Sequence, residues 1–114
     1  MDNNNLKYIL DAIPYPIVFV DLTHTIRFLN KYAEFEYQQV RGHKDLVGKS
    51  ILAYHNDKSK EMILAAVERF KKHGGEEFSA LSSHNQRIYM TPVRDEQGEL
   101  VGYFERYEAN FTKV

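Results

Sequence analysis

The chain has 114 residues, the size of one domain, and its 43% hydrophobic and 27% charged residues are globular proportions that argue against disorder. Fifteen Lys and Arg face sixteen Asp and Glu without long blocks of either sign, so the cation surplus that nucleic-acid binding needs is missing. Cysteine is absent, which removes disulfides and thiolate chemistry. No apolar run reaches signal-peptide or membrane-span length, so the expected setting is the cytoplasm.

Leu6, Ile9, Leu10 and Ile13 recur at helical spacing and predict an amphipathic helix over 5–13, stopped by Pro14 and Pro16. Ile17–Val20 is a β-branched and aromatic run, and Ile26–Leu29 follows it across the turn Asp21-Leu22-Thr23-His24, so the two read as a hairpin. Asn30 is placed to cap a short helix that carries Tyr32, Ala33 and Phe35. Residues 38–49 are polar and irregular, with Val47 and Ile51 as the expected buried anchors.

Ser59–Lys72 has the clearest helical period, with Met62, Ile63, Ala66, Val67 and Phe70 on one side and Gly74-Gly75 as the stop. Three strands follow, at 76–81, 86–93 and 99–109, joined by the turns 82–85 and Asp95-Glu96-Gln97-Gly98. The order predicts an α+β fold, a five-stranded antiparallel sheet with helices on one face. The expected organisation is a single domain over 1–114, with a helix at 5–13 and a core at 17–111.

These residues resemble the PAS domain family. Leu10-Asp11-Ala12-Ile13-Pro14-Tyr15-Pro16-Ile17 matches its opening segment, and Phe19-Val20-Asp21 with Ile26-Arg27-Phe28-Leu29-Asn30 matches its first hairpin. Leu46-Val47-Gly48-Lys49-Ser50 and Arg94-Asp95-Glu96-Gln97-Gly98 match two later segments. The resemblance spans about residues 6–112. It implies a sensory module that binds a small ligand in an internal cavity and signals through its sheet surface, or else a ligand-free docking and dimerisation module. Val47-Gly48-Lys49-Ser50-Ile51 followed by His55-Asn56 and Ser59 resembles a narrower subgroup, in which some members with a His at this place bind haem. Tyr54 stands where that subgroup commonly has Cys, and Asn110-Phe111-Thr112 replaces the usual Asp-Ile-Thr.

An enzyme is not expected, since the chain has no cysteine nucleophile, no G-x-S-x-G elbow and no phosphate-binding glycine loop. None of the five histidines has zinc-ligand spacing. His24, His73 and His84 fall in turns or at a helix end. His55 lies between an apolar segment and the long helix, where it either hydrogen-bonds the helix start or, if haem is bound, ligates the iron. The ligand-binding candidates are therefore His55, Tyr54, Met62, Val67 and Met90. Met90 is a second axial ligand or ordinary core filler, and strand alternation alone leaves open which face points inward. A homodimer is expected through Leu6 and Ile9 on the first helix and through Tyr103 and Tyr107 on the outer sheet face. The output partner acts in trans or lies in a region outside this sequence.

Overall fold

The computed structural model describes residues 3–40, 42–81 and 85–109. Its elements are α1 (Asn3–Ala12), β1 (Ile17–Asp21), β2 (Ile26–Leu29), α2 (Lys31–Phe35), α3 (Asp57–Lys71), β3 (Glu77–Leu81), β4 (Gln86–Arg94) and β5 (Leu100–Ala109). A π-turn at Glu36–Val40 and a 3₁₀ turn at Ile51–Tyr54 lie between α2 and α3. The strands form one antiparallel sheet in the order β2-β1-β5-β4-β3, so β5 is central. The expected α+β architecture is therefore observed. The turn residues 82–84, His84 among them, and the Asn110-Phe111-Thr112 segment lie outside the described residues.

Asn30 joins three elements. Its side chain is fully buried, and its Oδ1 accepts from Ala33 N at 2.9 Å as the cap of α2 and from Ile17 N at 2.9 Å at the start of β1. Its Nδ2 donates to Leu10 O at 3.0 Å, which also accepts from Ile13 N, and to Tyr15 O at 2.9 Å in the proline turn. Asp11 adds a second tie by accepting from Lys31 N at 2.8 Å.

One sheet face is covered by α2, the 3₁₀ turn and α3. The core there holds Val18, Val20, Ile26, Leu29 and Ile51, with Ile63, Ala66, Val67 and Phe70 of α3 and Met90 and Tyr103 of the sheet. At its far end, α3 is fastened to β4 by Arg94, whose Nη2 donates to Phe70 O at 2.5 Å and Gly74 O at 3.3 Å. Gly102 sits where β5 runs tightly against β1, and a Cβ there would lie 2.3 Å from Val20 O.

Several expectations need correction. Asn56 caps α3 by accepting from Ser59 N, so the helix begins at Asp57 and not at Ser59. At the other end the left-handed residue is His73, with φ 72, rather than a glycine. Gly74 is needed for a different reason: a Cβ there would meet Arg69 O at 2.7 Å. Met62, expected in the core, is 43% exposed, because the face α3 buries runs through Ile63, Ala66, Val67 and Phe70. Val47 is also exposed, and its neighbour Leu46 is the buried anchor.

Asn30→Ala should cost about 3 kcal/mol, since it strands buried donors and acceptors on three segments at once. Asn30→Ser, which keeps only the helix cap, should recover about 1 kcal/mol of that. Urea unfolding of the three proteins checks this. A loss below about 1 kcal/mol for Asn30→Ala would show that the joint does not carry this weight.

Candidate functional site

Alternation along β5 decides what faces the core. Tyr103, Glu105 and Tyr107 point toward the helices and are buried, whereas Phe104, Arg106 and Glu108 share the opposite face. Tyr103 therefore does not lie on the outer face expected for it, whereas Tyr107 points inward and also borders the outer groove. Tyr103 packs near Phe70, with ring centroids 6.5 Å apart, and its burial, reinforced by the charge of Glu105, pushes its phenol far above the usual range. Glu105 is 6% exposed, and its partners on the neighbouring strands are the buried Val18 and Met90.

In front of Glu105 and Tyr107 lies a pocket of about 300 Å³. The 3₁₀ turn and the start of α3 supply Tyr54, His55, Asn56 and Ser59, and α3 itself supplies Met62 and Ile63. Ser79 and Ala80 of β3 and Ile88 of β4 close the sheet side. His55 Nδ1 lies 2.9 Å from Ile51 O. A carbonyl only accepts, so Nδ1 carries the proton and a neutral ring keeps its lone pair on Nε2. The helix start is bonded by Asn56 and not by His55. Tyr54 meets His43 edge-on at 4.7 Å.

Of the five candidate ligand residues, the pocket brings together His55, Tyr54 and Met62. Val67 is core beneath α3 and lies off the pocket wall. Met90 points inward but borders a second, smaller space of about 200 Å³ between α3 and β3, and Met62 and Ser79 belong to both. Glu105, Tyr107, Ser59 and Ser79 are wall residues that the sequence reading did not assign to the pocket. An acidic residue in the same alternating row as two buried tyrosines was the available signal for Glu105.

The outer face carries a larger groove of about 650 Å³. Phe28, Phe19 and Phe104 stand in register on three adjacent strands, with Ile17 beside them and Leu10 and Ile13 from the end of α1. Arg106 borders the groove and is clamped by Glu76 at 2.7 Å and Glu108 at 2.8 Å, lying 4.5 Å over the Tyr89 ring. These bonds hold the carboxyls of Glu76 and Glu108 below their ordinary range. Leu6 and Ile9 are exposed on α1, as expected. The groove is the larger hollow, but its wall is almost wholly apolar. The smaller pocket has the convergent polar groups that orient a small molecule.

The pocket does not fit haem. His55 offers a suitable Nε2, but about 300 Å³ is at the lower end for small-molecule sites, roughly 300–1,000 Å³. The lining includes the buried carboxylate of Glu105, and no Lys or Arg among the described residues lines the pocket to meet two propionates.

The architecture is a small α+β fold, and the comparisons define the family. A PAS domain model matches residues 6–108, and the chain belongs to the PAS domain family. A search of curated proteins returns no match. Among solved structures, a C-terminal domain from Streptococcus mutans is similar at a TM-score of 0.77 and 18% identity, covering 96% of this chain and 85% of that one. A sensory box sensor histidine kinase from Vibrio cholerae aligns at 0.65 and 17% identity, covering 96% and 92%. A Vibrio cholerae receptor described as a dual PAS-haem oxygen sensor aligns at 0.58 and 20% identity, covering 86% and 95%. At these identities the likeness is one of fold. Among the described residues, no helix is long and apolar enough to cross a membrane.

Haemin added to the purified protein should give no Soret band that His55→Ala removes, in either the oxidised or the reduced state. A sharp band in the wild type that is lost in the variant would overturn the fit argument.

Proposed function

We propose that this PAS domain is a regulatory sensor that acts by binding and not by catalysis. A small molecule occupies the pocket beside His55, and the occupied state is read on the outer sheet face. The observation that carries this reading is the convergence of a buried carboxylate, an imidazole lone pair and two serines on one small cavity. The likeness to a sensory box sensor histidine kinase supports the sensory part of this reading.

β5 gives the reading a mechanism. The same strand presents Glu105 and Tyr107 to the pocket and Phe104 and Arg106 to the outer groove. A ligand that binds one arrangement of α3 and β5 more tightly than another shifts the population of both faces together. A tenfold preference contributes about 1.4 kcal/mol, enough to move a poised equilibrium.

The outer groove favours a second, compatible reading as a dimerisation module. An apolar phenylalanine row beside an α1 that exposes Leu6 and Ile9 is self-complementary, and the occupant we propose is a second copy of the chain. The signalling partner acts in trans or lies outside this sequence, and we infer no nucleic-acid role.

Native mass spectrometry and sedimentation of protein purified without added ligand test both readings. A dimer is expected, carrying a non-covalent small-molecule adduct that denaturation releases. Replacing both Leu6 and Ile9 with Lys should weaken the dimer and leave folded monomers by circular dichroism. An adduct-free dimer would leave only the docking module, and an adduct-free monomer at high concentration would contradict both.

A further inference from the structure

We propose that the pocket beside His55 and the space between α3 and β3 form one slot for an elongated, uncharged amphiphile. Its hydroxyl or amide head sits at His55, and its unbranched apolar chain reaches toward Met90. This rests on the reading of the pocket as a ligand site. The two hollows, of about 300 and 200 Å³, share Met62 and Ser79, so the second continues the first along the seam between α3 and β3. Met62 stands at the mouth of the slot, unbranched and 43% exposed, so its side chain turns aside at little cost.

The chemistry of the wall changes along this slot. At one end stand His55, Asn56, Ser59 and Ser79. With Nδ1 committed to Ile51 O, a neutral His55 ring presents an acceptor, and the two serine hydroxyls both donate and accept. Glu105 and Tyr107 border the same end but have interaction partners already. No Lys or Arg among the described residues lines it. The groups left to meet a ligand are neutral and match a hydroxyl or an amide. A charged head would give up its hydration there without gaining a counter-charge.

At the other end the lining is Met62, Ala65, Ala66, Phe78 and Met90, with Arg69 and Glu77 beside them. Arg69 and Glu77 bind each other through two bonds at 2.6 and 2.7 Å, so each charge meets its opposite and neither calls for a charged ligand. The space is open because α3 turns Ala65 and Ala66 toward it, side chains that end at Cβ. An apolar chain laid here gains with every methylene it removes from water. Ala65 is exposed, so a larger side chain at that position fills the space without disturbing the core.

The test titrates the full chain with n-butanol, n-octanol, octanoate and octylamine and follows backbone amides by nitrogen–proton correlation NMR. Butanol should shift amides around His55 and Ser59 alone. Octanol should also shift Ala65, Phe78 and Met90 and bind at least about tenfold more tightly. Octanoate and octylamine should bind at least about tenfold more weakly than octanol. Ala65→Phe should remove the advantage of the longer alcohol and leave butanol binding as it is. If that variant fails to fold by circular dichroism, Ala65→Leu should reduce the advantage in the same direction. Alcohols that bind equally, an advantage that survives Ala65→Phe, or a charged probe that matches octanol would overturn the slot while leaving a ligand site in place. Shifts confined to Phe19, Phe28 and Phe104 would put the chain in the outer groove and overturn it as well. Binding by none of the four probes would also overturn the slot. If protein purified without added ligand then carries no adduct, the ligand reading itself falls.

Discussion

The fold depends on a single buried amide. Asn30 closes α2, begins β1 and takes up carbonyls from the end of α1 and from the proline turn, so three segments distant in sequence share one hydrogen-bonding centre. A polar side chain with no solvent exposure is stable only when its groups are satisfied, and here one rotamer satisfies contacts on every side. That joint sets where α1 leaves the sheet, and the groove on the outer face is bounded by α1 residues Leu10 and Ile13. The surface proposed for a partner is thus positioned by a residue that never touches the partner.

The sheet separates two kinds of chemistry. Its covered face is largely apolar, and the buried carboxylate of Glu105 faces the gap that α3 leaves near His55. Its open face is aromatic near α1 and becomes ionic toward β3, where Arg106 binds Glu76 and Glu108 and the Thr91 hydroxyl donates to Glu76. Because β5 is central and alternates strictly, a displacement of one residue pair reaches both faces without passing through an intermediate element. In the proposed function, this is how an internal ligand would be coupled to an external contact.

The architecture was largely legible because its signals are local. Helical spacing in Ser59–Lys72, the Asn30 cap and the turn residues each act over a few positions; Asn30 caps α2 as expected, and element ends shift by at most two residues. The pocket was legible only around His55 and Tyr54. On β5, aromatic residues stand on both faces, so composition did not say whether Tyr103 or Phe104 points inward, and the wrong choice carried Tyr107 and Glu105 with it. Met62 has the right helical spacing for the core but sits at the rim of the buried stripe, where an unbranched side chain tolerates exposure. The size and polarity of the pocket arise from residues of the 3₁₀ turn, α3 and three strands that are far apart in sequence, which no local pattern encodes.

The central claim is that the space between His55 and Glu105 is a ligand site and not a packing gap. A high-resolution crystal structure of the protein purified without additives tests it most directly. A discrete small molecule beside Glu105 and His55, with Met62 at the mouth, is the expected result. A structure in which Met62 and its neighbours have folded inward to fill the space, with Glu105 turned out of it, would contradict the account.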